Sequence, residues 1–430
     1  MNEPNHDPQP PPLDPFCHTE AQAELGPTPS ELPPASKDAF GSSTVPEPPR
    51  QSHLLFWLAL GIGSLLYLVL LFVTPRRYPE LAEFLATGIE VLPMVGLALL
   101  TYLGARHLLV RVLTLLYMGL LDLLFMLLLT GLTFLGLVSP EVLSGHPTEE
   151  VLTPEAIWQV LAVLGGVTLV LLASLVFYLP GVRRVLARVL PIDPDSFVHA
   201  TALVVTVGYS LALVVSLLVL GEPVILLILR QHRGHQLAEE WSRSSAMLSE
   251  VYSLVWLVPG VFLAVGYPWL RNLREAAQRL GLVPLRPLQI GIACSAAVVL
   301  VLVSTGFDAV ATRVWERLGW PVTDSKLFDE LMKAFINPLG AVVIGVVAGL
   351  GEELVVRGLL QPRLGIVLSN LFFTSLHALQ YNFDALLSVF LFGLILGLIR
   401  KYRNTTTSAI VHGMYDCLLI LLAWAGVPGF

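Results

Sequence analysis

From Leu54 onward the chain is a succession of apolar stretches, each of about 16 to 27 residues. A bilayer leaves such a chain one solution. Every backbone N–H and C=O in hydrocarbon must find its partner within the protein, and a helix achieves this segment by segment. About eleven spans are expected, over 54–74, 84–105, 112–138, 157–179, 198–220, 253–270, 289–307, 336–351, 365–381, 385–400 and 408–427. Composition agrees: 55% of the 430 residues are hydrophobic and only 13% are charged, against about 25% charged in a soluble domain. The fold class is therefore all-α, a polytopic transmembrane helical bundle.

Residues 1–50 differ. The stretch from Pro4 to Pro15 and the later Pro27, Pro29, Pro33, Pro34 and Pro46 to Pro49 lack apolar periodicity. Such a segment cannot bury enough surface to offset its ordering entropy, so it is read as a disordered cytoplasmic tail. A docking role for a partner is the alternative. It lacks the basic start and apolar core of a signal peptide. The net charge of -7 and the absence of a long Lys/Arg run give no support to a nucleic-acid partner. Cys17, Cys294 and Cys417 have no ligand or disulfide spacing. Cys417 is read as a small buried hydrophobe.

The chain divides into helices of unassigned role over 54–270 and a polar-bearing region over 285–427. The arginines at 106 and 111, at 183, 184 and 188, at 271, 274, 279 and 286, at 357 and 363, and Arg400, Lys401 and Arg403 fall on one side. The acidic 139–156 loop falls on the other. The positive-inside rule then places the N-terminus in the cytoplasm, although Arg76-Arg77 and the Arg230/Arg233 loop disagree. The 305–334 stretch, with Trp315, Trp320 and Phe328, reads as a loop anchor, an interfacial helix being the alternative. Glu90 and Asp122 are lone carboxylates in apolar runs, expected to pair with arginines in the bundle or to line a path.

Within the last eighty residues, ionisable groups stand in sets that close at a spacing of four: Glu352-Glu353 with Arg357, Phe373 with His377, and His412 with Asp416. Four residues return to one helix face. An ionisable group at bilayer depth costs about 2.5–3.5 kcal/mol or more, so the cluster marks a functional site. Each set has a plainer reading: a helix-end ion pair, a satisfied core histidine, a helix-internal hydrogen bond. Their conjunction is what argues for function. A carboxylate beside a histidine can deprotonate water for attack on an amide, a second histidine can donate to the oxyanion, or the set can hold a metal that activates the water. No nucleophile-elbow Ser or Cys and no HExxH occurs.

These three motifs resemble, in order, those of the CAAX protease and bacteriocin-processing (CPBP) family of intramembrane endopeptidases, which includes the type II CAAX prenyl endopeptidase. The match covers about residues 285–427, with Arg279-Leu280-Gly281-Leu282 resembling the lead-in. The resemblance implies that Glu352 is the general base, with His377 helping to hold the water. It makes Glu353 and Arg357 a supporting pair, gives His412 with Asp416 the oxyanion or a metal site, and leaves Phe373 a packing role. It leaves open a metal-free glutamate mechanism and one using a divalent metal such as zinc on Glu352, His377 and His412. Members often carry Asn at the last position. Asp416 accepts only, unless protonated, which puts direct oxyanion donation there in doubt.

The resemblance implies an intramembrane endopeptidase acting on a peptide or lipidated protein within membrane lipids. A prokaryotic cytoplasmic membrane is the expected setting, and the Arg357/Arg363 loop beside the Glu352 helix end leads to the expectation that the site opens to the cytosol. A non-catalytic scaffold or immunity-type protein of the same fold, and an ion- or proton-coupled transporter, are the other readings. The halves show no paired broken helices that would support a transporter.

Overall fold

A computed structural model of the chain describes residues 53–74, 78–143, 152–232, 245–284 and 286–427. The expected tail, with Cys17, lies outside the described residues, as do Arg76, Arg77, Arg233 and part of the acidic loop. The described residues are helical, with no strand among them. The described residues all fall in one compact unit.

Helix starts follow local chemistry. Polar side chains cap them: Thr153 Oγ1 accepts from the Ala156 N–H, Asn337 Oδ1 from Gly340 and Asn404 Oδ1 from Thr407. Prolines at 79, 154, 287 and 338 occupy first-turn positions, where a missing N–H costs nothing.

Nine of the described helices are long and apolar enough to cross a membrane, so this is an integral membrane protein. A tenth, His53–Val73, has a shorter apolar run over 59–73. One candidate, Pro338–Leu379, is 42 residues long, about twice what a bilayer of ~30 Å needs. It breaks at Gly365, whose φ of 77° and ψ of 175° lie outside any helix. The two expected spans 336–351 and 365–381 are thus the arms of this kinked element.

The 305–334 reading changes. The Pro287–Leu318 helix runs straight through its first part, and the rest carries a short helix, Ser325–Met332. The charges of 305–318 are therefore the far end of a 32-residue helix.

What positions the site is a close crossing. The Pro338–Val346 helix continues in wider π-type turns, Val347–Glu352 and Leu354–Leu360, an irregularity frequent at functional sites. It lies against the final helix, Thr405–Trp424, through Gly345, Gly349 and Gly413. A Cβ on Gly345 would sit 2.6 Å from the Gly413 carbonyl oxygen, and one on Gly349 would sit 2.6 Å from the Ala409 carbonyl oxygen. Only hydrogen at these positions lets the two backbones touch, the small-xxx-small packing of membrane helices. Cys417 packs at the same crossing, its Cβ 3.1 Å from the point a Gly345 Cβ would occupy.

The crossing predicts a contrast. Gly349→Ala forces backbone apart and should cost ~3 kcal/mol. Gly291→Ala, in open space on the Pro287–Leu318 helix, should be neutral or slightly stabilising. Thermal unfolding of both variants in detergent checks this; equal midpoints would contradict the packing.

Candidate active site

Glu352 and Glu353 are neighbours with opposite surroundings. Glu353 has no exposed surface, whereas the Glu352 side chain is 39% exposed. The Glu353 carboxylate is fully engaged. Ser408 Oγ donates to Oε2 at 2.5 Å, His412 Nδ1 lies 3.1 Å from Oε1, and Arg357 Nη1 lies 3.3 Å from the same oxygen. Since a carboxylate only accepts, His412 Nδ1 must carry its proton toward Glu353. The Arg357 contact is an ion pair without good hydrogen-bond alignment, because Nη1 makes no other bond.

Arg357 is itself 1% exposed. Its Nη2 donates to the Gly393 carbonyl at 3.0 Å, and its guanidinium lies 4.6 Å from the centre of the Phe373 ring. It is therefore no part of a charged loop, contrary to its place in the arginine count above. Gly393 must be glycine here, because a Cβ would collide with the Asn370 side chain and the Phe373 ring.

His412 has a second edge. Its Nε2 lies 3.4 Å from Asp416 Oδ2 and 3.9 Å from Glu352 Oε2. The imidazole packs between Phe373 and Phe392, with ring centres 5.9 Å and 5.2 Å away. Its face is thereby fixed and its tautomer is set by Glu353, as in other sites where one ring nitrogen is anchored and the other works. Glu352 Oε2 has no hydrogen-bond partner.

His377 ends its helix. Its backbone N–H turns to the Ser375 and Thr374 carbonyls, while ring Nδ1 lies 3.0 Å from the Phe373 carbonyl oxygen. A carbonyl cannot donate, so Nδ1 carries hydrogen and Nε2 of the neutral ring presents a lone pair. The ring meets Phe373 at 4.8 Å and stacks on Tyr381 at 6.0 Å. On the far side, Tyr381 lines a cavity of about 560 Å³ with Phe328, Thr323 and Asp384. Asp384 is held by the Thr323 hydroxyl at 2.8 Å.

Thus every spacing-of-four pair read from the sequence closes. Glu352, Glu353, Arg357, His412 and Asp416 form one contiguous set. His377 touches that set through the Phe373 ring and makes no hydrogen bond or ion pair to Glu352 or His412. The metal alternative does not fit this arrangement: among the described residues no three His, Cys, Asp or Glu side chains are grouped to hold an ion. His412 Nδ1 is also already committed to Glu353.

Ser408 is the functional neighbour the sequence reading missed. It stands four residues before His412, so Ser408, His412 and Asp416 share one face, and that repeat was the available signal. Of the lone carboxylates of the N-terminal half, Glu90 finds a hydroxyl and not an arginine: Ser253 Oγ donates to it at 2.9 Å. Glu250, near the start of the Ser245–Ala264 helix, is within electrostatic reach of both Glu90 and Glu352.

Chemically, the set offers a partly exposed glutamate side chain, with one carboxylate oxygen buried and unpartnered, beside an anchored imidazole inside a membrane-spanning bundle. Removing one partner of the buried group is predicted to cost stability in proportion to the charge left behind. Arg357→Met should lose about 3–5 kcal/mol, and Ser408→Ala about 1–3 kcal/mol. Unfolding of the purified variants in detergent measures both; an Arg357→Met protein as stable as wild type would contradict the buried pairing.

Residues 334–418 match the family model described as Type II CAAX prenyl endopeptidase Rce1-like. No curated protein and no solved structure matches the chain.

Proposed function

We propose that this chain, whose C-terminal region is of the CAAX-type intramembrane protease family, hydrolyses a peptide bond in a membrane-associated peptide or lipidated protein, using water activated by Glu352. The observation that carries this reading is the division of labour between adjacent carboxylates. Glu353 is saturated by Arg357, His412 and Ser408, whereas Glu352 has an oxygen without a partner, 3.9 Å from His412 Nε2.

Glu352 takes a proton from the attacking water, and the hydroxide adds to the carbonyl carbon. His377 packs against this set through the Phe373 ring and takes no part in holding the water. The oxyanion receives a hydrogen bond from His412 Nε2 when that nitrogen carries a proton, with Glu353 and Asp416 at the two ring nitrogens. The proton held by Glu352 passes to the leaving amine as the C–N bond breaks. Asp416 thus acts through His412 and not as an oxyanion donor. The reading places the protein in a prokaryotic cytoplasmic membrane with its N-terminus in the cytoplasm.

Glu352→Gln should lower cleavage of a membrane-embedded reporter peptide by about 10²-fold or more while leaving the unfolding midpoint unchanged. Wild-type turnover in that variant would sink the assignment.

A further inference from the structure

The helix that carries Glu352 and Glu353 ends in an arrangement the proposed chemistry does not use. Three successive carbonyls near its C-terminus, those of residues 357, 358 and 359, each accept from a different arginine. Arg400 Nε reaches Arg357 O at 3.1 Å, Arg279 Nη1 reaches Gly358 O at 3.1 Å, and Arg363 Nη1 reaches Leu359 O at 3.3 Å. Carbonyls at a helix C-terminus lack partners in the helix and carry its negative pole, so cations belong there.

That role accounts for one donor on each side chain, and a guanidinium has five N–H donors. Arg363 spends a further one on the Tyr102 hydroxyl, and Arg271 donates to the Val265 carbonyl. Besides its burial, Arg279 feels the Arg363 guanidinium most strongly, then the Tyr102 hydroxyl, then the guanidiniums of Arg271 and Arg400. Among the described residues none of these four forms an ion pair with a carboxylate. Nearby acids are otherwise engaged: Glu275 accepts from the Asn272 N–H at 2.9 Å and Asp193 from the Asp195 N–H at 3.0 Å. All four arginines are only half-buried. Like charges gathered this closely repel unless an anion joins them.

The position says which anion. The four lie where membrane-crossing helices end, at 104, 264 and 402 and at the break near Gly365. Beside them, the buried Tyr102 and Trp269 rings pack edge to face at 5.6 Å and wall the cluster on its inner side. Exposed Arg274, Lys401 and Arg403 widen the cationic rim. We propose that Arg271, Arg279, Arg363 and Arg400 bind the phosphate of an anionic phospholipid headgroup, which thereby fixes the end of the helix bearing the candidate active site. The bidentate fork of arginine suits phosphate oxygens.

The test uses the full-length protein in neutral detergent, titrated with phosphatidylglycerol or phosphatidylcholine and followed by native mass spectrometry. Wild type should prefer phosphatidylglycerol by on the order of tenfold or more, with the preference reduced at high salt and in Arg279→Gln and Arg363→Gln. Arg279→Lys, which keeps the charge and the cap, should retain part of it should the Gln variants not fold. Equal retention of the two lipids by wild type, or undiminished preference in every variant that folds, would overturn the proposal. A parallel arm adds inorganic phosphate. Displacement of phosphatidylglycerol at equimolar phosphate would identify a free-anion site and overturn the lipid assignment; retention of the lipid supports it.

Discussion

A carboxylate with no exposed surface inside a membrane protein cannot stand unpartnered, and the C-terminal half of this molecule is organised around that constraint at Glu353. Stripping its charge of water costs several kcal/mol, which only well-placed donors offset. Those donors arrive from separate parts of the chain: Arg357 from the next turn, Ser408 and His412 from the final helix. Arg357 in turn needs the Gly393 carbonyl and the Phe373 ring. A one-residue slip of any of these helices would leave a buried charge exposed to hydrocarbon, so the carboxylate acts as a register pin.

The pin also defines what is left for chemistry. By holding His412 through Nδ1, Glu353 aims Nε2 at Asp416 and Glu352. Because consecutive residues on a helix point in different directions, the side chain that must be buried and the side chain that must meet water can be adjacent in sequence. The glycine crossing at Gly345, Gly349 and Gly413 is what brings His412 close enough for this to work. Stability and reactivity are thus assigned to two carboxylates one peptide unit apart.

Much of this was legible in the residues, for physical reasons. Hydrocarbon forces helices, so the apolar runs marked the spans, and a spacing of four marked the pairs that close. Glu352 stands beside the Glu353–Arg357 pair and finds no hydrogen-bond partner for its Oε2. What was not legible depends on contacts between elements. The π-type winding around Glu352 and the role of Ser408 follow from how the final helix packs. So does the hub position of Phe373, which touches Arg357, His377 and His412. Glu90 and Asp122 were expected to pair with arginines or to line a path, yet Glu90 accepts instead from the Ser253 hydroxyl on a neighbouring helix. The three-ligand metal set came from residue type and the family resemblance, and among the described residues Glu352, His377 and His412 are not grouped to hold an ion.

The separation of the two glutamates can be measured without a substrate. Cysteine placed singly at 352 or 353, in a background lacking Cys17, Cys294 and Cys417, would be challenged with a water-soluble maleimide in the folded protein and again after denaturation. The account predicts that Glu352→Cys reacts while folded and that Glu353→Cys reacts only once unfolded. Equal labelling at both positions, or labelling of 353 alone, would contradict it.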